Sequence, residues 1–300
     1  MWIEGSGSRI GVEHSALNFR AYPNPVPPSA YAVLISACQR DAARPRLTWY
    51  DNETGERVEL SGATLLNWVH KTANFMIDEL FVEPGVSISL QLPRHWLTAV
   101  WWLAAHAVGS QPQLAPPSNE PPVGSFDVAV FGPKALEHLA GVDGSAPSSG
   151  AAWAQVEHRV AVALTPMATG FVGRGQPLPA GIIDFETEVR GQPDAFIGND
   201  EGTPAVAEAA IDHARRWSLT SNDRVMAAGP LGGEDDLVRE LLAPLAADAS
   251  CVWIRNPDAG KDVQHAAAEH VTATTMTAAE LPDTGNPDTG SPGGPIRSLT

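Results

Sequence analysis

The sequence predicts an α/β fold with a mainly parallel sheet flanked by helices, and three observations lead there. Strand-like and helix-like segments alternate from residue 47 to residue 276, the pattern of layered α/β folds. Leu65, Val69, Ala73, Met76 and Leu80 recur at helical spacing as one apolar stripe. Residues 86–92 alternate apolar and polar strictly, as a strand with one buried face does, and Pro93 ends the run.

The elements follow in order. Residues 1–28 carry several prolines and glycines and read as an extended lead-in. An apolar run over 30–39 predicts a first short helix, and the segments 47–50 and 57–60 flank a turn containing Asn52 and Gly55, which predicts a hairpin. Ser61 is placed to cap the striped helix. Residues 96–108 predict a helix apolar almost all the way round, hence buried between other elements and too short to cross a bilayer. Strands are expected at 127–131, 159–164, 224–228, 250–254 and 271–276, and helices at 133–139, 204–217, 234–247 and 262–270. The glycine-, proline- and serine-rich stretches 141–150 and 170–181 read as loops. One domain is expected over 29–281, with a disordered tail at 282–300, where Pro-Asp-Thr-Gly nearly repeats.

Composition narrows the function. Nineteen Lys and Arg against 35 Asp and Glu give a net charge of −16, which opposes nucleic acid and anionic membrane as partners. The same field opposes ATP or coenzyme A unless local cations or backbone amides reverse it in a pocket. Cys38 and Cys251 lie in apolar settings and read as buried free thiols. No leader-like start and no apolar run of membrane-spanning length occurs, so a cytoplasmic location is expected.

Five consecutive segments resemble the start of the adenylate-forming superfamily: the hairpin 47–60, the helix 61–80, the turn 81–86, the strand ending at Pro93, and the helix closing on Gly109. Residues 223–226, 229–231, 242–245 and 249–253 are similar to the superfamily's segment beyond its phosphate loop, so the resemblance covers roughly 30–275. It implies the N-terminal domain fold of enzymes that activate a carboxylic acid with ATP to an acyl-adenylate, as acyl-CoA synthetases do. The superfamily's phosphate loop is rich in Ser, Thr and Gly and ends near a Lys, because hydroxyls and amides must wrap an anion. The resemblance puts that loop at Gly198, Asn199, Asp200, Glu201, Gly202 and Thr203, where two carboxylates stand in for hydroxyls and no lysine follows. At an effective dielectric near 20, each like-charge contact with triphosphate would cost on the order of several kcal/mol. The superfamily's ribose-binding Asp, its later nucleotide motif and its small domain with a catalytic Lys find no counterpart in these 300 residues, so no residue inherits those roles.

A second candidate for ligand contact is Arg94, His95 and Trp96, directly after the strand ending at Leu92, the edge at which open α/β sheets bind ligands. Other constellations carry less. The glycines of 5–11 follow no strand, and those of 170–175 lack the Gly-Lys-Ser/Thr ending of a nucleotide loop. His265 and His270 are five apart and diverge on a helix, so surface histidines are the default. Glu234, Asp235 and Asp236 suit the positive end of a helix dipole better than a cation. No Gly-x-Ser-x-Gly elbow occurs.

The expected function is therefore a catalytically degenerate relative of AMP-binding enzymes, with no catalytic residue, no metal and no cofactor. Its partner would be a small acyl or nucleotide-like ligand or a protein. The alternatives are an acyl-adenylate-forming ligase, completed by a partner chain or using ATP with magnesium at Asp200 and Glu201, and a purely structural interaction module.

Overall fold

The computed structural model describes residues 29–116, 124–139, 155–165, 168–197, 204–276 and 296–299. The lead-in 1–28, the loop 141–150 and the predicted phosphate-loop residues 198–203 lie outside them.

Two sheets form where the sequence suggested one. The first has the order β11-β10-β8-β9-β1-β2 and the second β4-β3-β5-β6-β7. In chain order the strands are β1 (Pro45–Asp51), β2 (Glu56–Ser61), β3 (Ser87–Gln91), β4 (Gln111–Leu114), β5 (Val128–Phe131), β6 (His158–Ala161), β7 (Ile182–Asp184), β8 (Arg224–Ala228), β9 (Ser250–Arg255), β10 (Ala273–Thr274) and β11 (Arg297–Ser298). Among the described residues every pairing is parallel except the β1–β2 hairpin. That hairpin turns through Gly55, whose φ of 79° is open to glycine and strained for other residues.

The helices are α1 (Ala30–Arg40), α2 (Gly62–Asp78), α3 (Trp96–Ala107), α4 (Pro133–Leu139), α5 (Phe185–Glu188), α6 (Pro204–Arg216), α7 (Glu234–Ala246, in three parts) and α8 (Ala259–Ala268). Ser61 caps α2 as its sequence position suggested, its Oγ accepting the Thr64 N–H at 3.2 Å. Ser61→Ala is expected to lower stability by about 1 kcal/mol, read as a shift of the urea midpoint; an unchanged midpoint would show that the cap contributes nothing.

Helix α3 sits between the sheets, touching β1 of the first and β3 and β4 of the second. This is why it is apolar on every side: all twelve of its residues are buried. Its neighbours α1 and α2 pack against it, and one continuous core joins Trp49 and Trp253 of the first sheet to Leu90 and Val130 of the second. No described helix is long and apolar enough to cross a membrane.

Several expectations are corrected. Strand β3 has no solvent face: Ser89 and Gln91 are 1% and 3% exposed, because a strand paired in parallel on both sides is covered above and below. Helix α7 is interrupted, running Glu234–Leu237, then a π-helical turn Val238–Leu242, then Ala243–Ala246. Pro244 has no N–H to return to the Glu240 carbonyl, and that carbonyl instead accepts the Trp253 indole N–H at 3.1 Å. Helix α8 begins at Ala259, ahead of its predicted start at 262, because Asp258 caps it through the Lys261 N–H. The tail expected to be disordered from 282 contributes β11, since Ile296 and Leu299 are apolar; Leu299 packs with Val225 and Ala273.

Candidate functional site

A cavity of about 240 Å³ opens at the carboxyl ends of strands from both sheets. Gln91 ends β3 and Pro93 and Arg94 follow it; Gly132 to Ala135 lead from β5 into α4; Leu164 follows β6; Gly229 to Leu231 follow β8; Arg255 ends β9 and Asn256 and Pro257 follow. Parallel strands deliver their following loops to one edge, which is where open α/β sheets gather ligand contacts.

The three residues singled out after β3 part company here. Arg94 lines the cavity but is committed to the interior. Its Nη1 pairs with Glu240 at 2.6 Å, its Nε donates to the Gly229 carbonyl at 2.7 Å, and its guanidinium lies 5.4 Å from the Trp253 ring centre. It therefore ties the β3, β8 and β9 ends together. His95 does not line the cavity: it caps α3, its Nδ1 accepting the Leu97 N–H at 3.1 Å, which puts the ring proton on Nε2. Burial, with the Arg255 charge adding to it, holds the imidazole neutral, well below the ordinary histidine range. Trp96 packs edge-on against Trp68, also away from the cavity. Glu234 is more than a dipole partner, since it accepts the Trp102 indole N–H at 3.0 Å and lies 3.2 Å from His106 Nε2. His265 is not a free surface group either; it stacks on Tyr50 with ring centres 3.9 Å apart and meets the Asn52 side chain at 3.0 Å.

The cations that remain for a ligand are Lys134 and Arg255. Lys134 is exposed at the cavity rim, at the start of α4, and makes no ion pair among the described residues. Arg255 has a loose contact of 3.6 Å with Asp51. Asn256, in a left-handed conformation with φ 52°, is held by its amide donating to Asp51 at 2.8 Å. Both cations were within reach of the rule that selected Arg94, because each follows or ends a predicted strand.

Leu164 also lines the cavity, in a left-handed conformation with φ 53°. Glu186, fully buried at the start of α5, accepts the Ala163 N–H at 2.8 Å and the Leu164 N–H at 3.3 Å. Burial, together with the charge of Asp184, pushes its carboxyl up to about 7. Neither cysteine lines the cavity. Cys38 and Cys251 are buried and unbridged, and burial raises their thiols to about 11 and about 12, which keeps them unreactive.

A protein of Mycobacterium tuberculosis (strain ATCC 25618 / H37Rv), the TIGR03089 family protein, is 34% identical to this chain over 252 residues, covering 79% of this chain and 94% of the relative. The chain belongs to the TIGR03089 family. No family model matches it. Among solved structures, this TIGR03089 family member is similar to the acetoacetyl-CoA synthetase of Streptomyces lividans, with a TM-score of 0.66 and 16% identity over 84% of this chain and 43% of that one. It is also similar to an acyl-CoA synthetase of Brucella canis, with a TM-score of 0.61 and 18% identity over 85% of this chain and 49% of that one. The anthranilate CoA ligase AuaEII, solved with anthranoyl-AMP, has a TM-score of 0.61 and 14% identity, covering 84% of this chain and 50% of that one. The fold is thus that of the N-terminal domain of adenylate-forming acyl-CoA synthetases, and the chain spans about half the length of those structures.

Proposed function

We propose that this chain is a catalytically degenerate relative of adenylate-forming enzymes that binds a small acyl or nucleotide-like ligand in the cavity without forming an adenylate. The observation that carries the reading is the pairing of Lys134 and Arg255 on one cavity in a chain of net charge −16, a local reversal of a field that otherwise repels anions. Pro93, Pro133, Ala135, Leu164 and Leu231 supply apolar wall beside these cations, the mixture that seats an acid with an apolar body. The volume of about 240 Å³, just under the roughly 300–1,000 Å³ of typical ligand pockets, favours a small acyl group or one end of a larger ligand. Loss of adenylation is supported by Asp200 and Glu201 at the phosphate-loop position, where carboxylates oppose the charge that such a loop must stabilise.

The test is pyrophosphate release and acyl-hydroxamate formation from a panel of carboxylic acids with ATP and magnesium. No turnover above the protein-free rate is expected. Turnover abolished by Asp200→Ala with Glu201→Ala would overturn the reading. It would favour the second reading, a ligase completed by another chain, which draws its support from the coverage of only 43–50% of the solved synthetases.

A further inference from the structure

Three cations line the cavity, and each stands differently toward the acids around it. Arg94 is hydrogen-bonded to Glu240 at 2.6 Å, so its charge is matched and one arm of its fork is spent. Lys134, exposed at the rim, makes no ion pair among the described residues. Arg255 is the intermediate case. The parallel pairing of β1 with β9 sets Asp51 opposite Arg255 in register, and Asp51 Oδ2 lies 3.6 Å from Arg255 Nη1. That distance is within ion-pair range and too long for a hydrogen bond, so the charge is shared while the guanidinium N–H groups are not spent on Asp51. Arg255 is 30% exposed and Asp51 only 3%, which puts the acid behind the cation. The acid is held in place, since its Oδ1 accepts the Asn256 amide at 2.8 Å and the Glu53 N–H at 2.9 Å. Glu56 stands opposite Asp51 across the hairpin and adds a further carboxyl on that side. Neither Asp51 nor Glu240 lines the cavity, so each acts on a ligand through its arginine.

We infer that Asp51 is a built-in competitor for Arg255 that makes the cavity selective for weakly charged anions, admitting a single phosphate or carboxylate group and discriminating against a polyphosphate. Only Lys134 meets a ligand with no acid beside it, so the positive charge on offer is small. Ligand charge beyond it meets Asp51, Glu240 and a chain of net charge −16. An anion that draws Arg255 toward the cavity leaves Asp51 with the Asn256 and Glu53 donors, so the exchange of partners is not prohibitive for a buried carboxylate. That a ligand binds in this cavity rests on the function proposed above; the hold of Asp51 on Arg255 does not.

Calorimetric titration of the full chain and of Asp51→Asn with inorganic phosphate, AMP and ATP, without magnesium, tests it. Asparagine keeps an oxygen for the Asn256 and Glu53 donors and removes the charge facing Arg255. The unsubstituted chain should bind AMP more tightly than ATP. Asp51→Asn should tighten AMP by about threefold, the scale of a partly exposed ion pair, and ATP by a larger factor, because more of its charge falls within reach of the removed acid. Equal affinities in the two proteins, weaker binding in Asp51→Asn, or ATP bound by the unsubstituted chain as tightly as AMP would overturn the inference. Binding by Asp51→Asn alone would sink the functional reading and leave the inference standing; binding by neither protein would sink both. If Asp51→Asn fails to fold, carboxyl-carbon NMR of the unsubstituted chain decides. The Asp51 signal should move on saturation with AMP or phosphate and stay still in Arg255→Gln; a signal unmoved in the unsubstituted chain would overturn the inference.

Discussion

Replacing Arg94 by alanine is expected to cost about 3–5 kcal/mol of folding stability, the range for breaking a buried ion pair from one side. The size follows from what is left behind. Glu240 is 6% exposed and would be left buried with the Thr275 hydroxyl, 3.1 Å from Oε1, as its remaining side-chain partner among the described residues. The Gly229 carbonyl would lose its 2.7 Å donor and the Trp253 face its cation. The pair itself is a poor source of net stability, because desolvating two charges cancels most of their attraction. Arg94→Leu with Glu240→Leu is therefore expected to recover most of what Arg94→Ala loses. Urea unfolding reads both; a cost under about 1 kcal/mol for Arg94→Ala would mean that the pair behaves as a solvated surface contact.

The second large effect is a dependence of stability on pH that Glu186→Gln removes. Burial and the Asp184 charge raise the Glu186 carboxyl from 4.5 in its ordinary state to about 7 in the fold. A carboxyl raised on folding contributes stability that is fully present below its unfolded value and is lost as pH rises through its folded one. The loss accumulates between about pH 4.5 and about pH 7 and levels off above. Its ceiling is about 3 kcal/mol, from the conversion of about 1.4 kcal/mol per pH unit. Glutamine keeps an acceptor for the Ala163 and Leu164 N–H groups and carries no charge to desolvate. The variant should therefore match the unsubstituted chain near pH 5 and exceed it at pH 8. Parallel stability curves for the two proteins over this range would rule the effect out.

Much of the fold was legible because it follows from local pattern. The stripe on α2 and the Ser61 cap fixed one helix, and the all-round apolarity of α3 marked it as buried between layers, as its place between two sheets now explains. What could not be read depends on partners distant in sequence. Ser89 and Gln91 are polar and alternate with apolar neighbours, so nothing local reveals that β4 and β5 flank their strand. Strand β4 contains Pro112, which argues against a strand unless it lies at a sheet edge, and that is where it lies. The division into two sheets rests on pairings such as β1 with β9, some 200 residues apart.

The candidate site was legible by its edge and not by its residues. The carboxyl-end rule led to Arg94 and His95, the first of which proves to be committed to Glu240 and the second to the α3 cap. The same rule applied after β5 and β9 reaches Lys134 and Arg255, but strand order decides which ends converge, and order is not a local property. Glu186 was hidden for the same reason, since its partners Ala163 and Leu164 come from another strand's connection.

Calorimetric titration of the chain with acetyl-CoA, AMP and ATP, alongside a Lys134→Glu and Arg255→Glu double variant, tests the central claim most directly. The variant inverts Lys134 and the Arg255 that also meets Asp51 while leaving the Arg94–Glu240 pair intact. Saturable binding of at least one of the three, weakened at least tenfold in a variant that remains folded at the titration temperature, is the predicted result. Binding of none of them, or equal affinity in the variant, would contradict it.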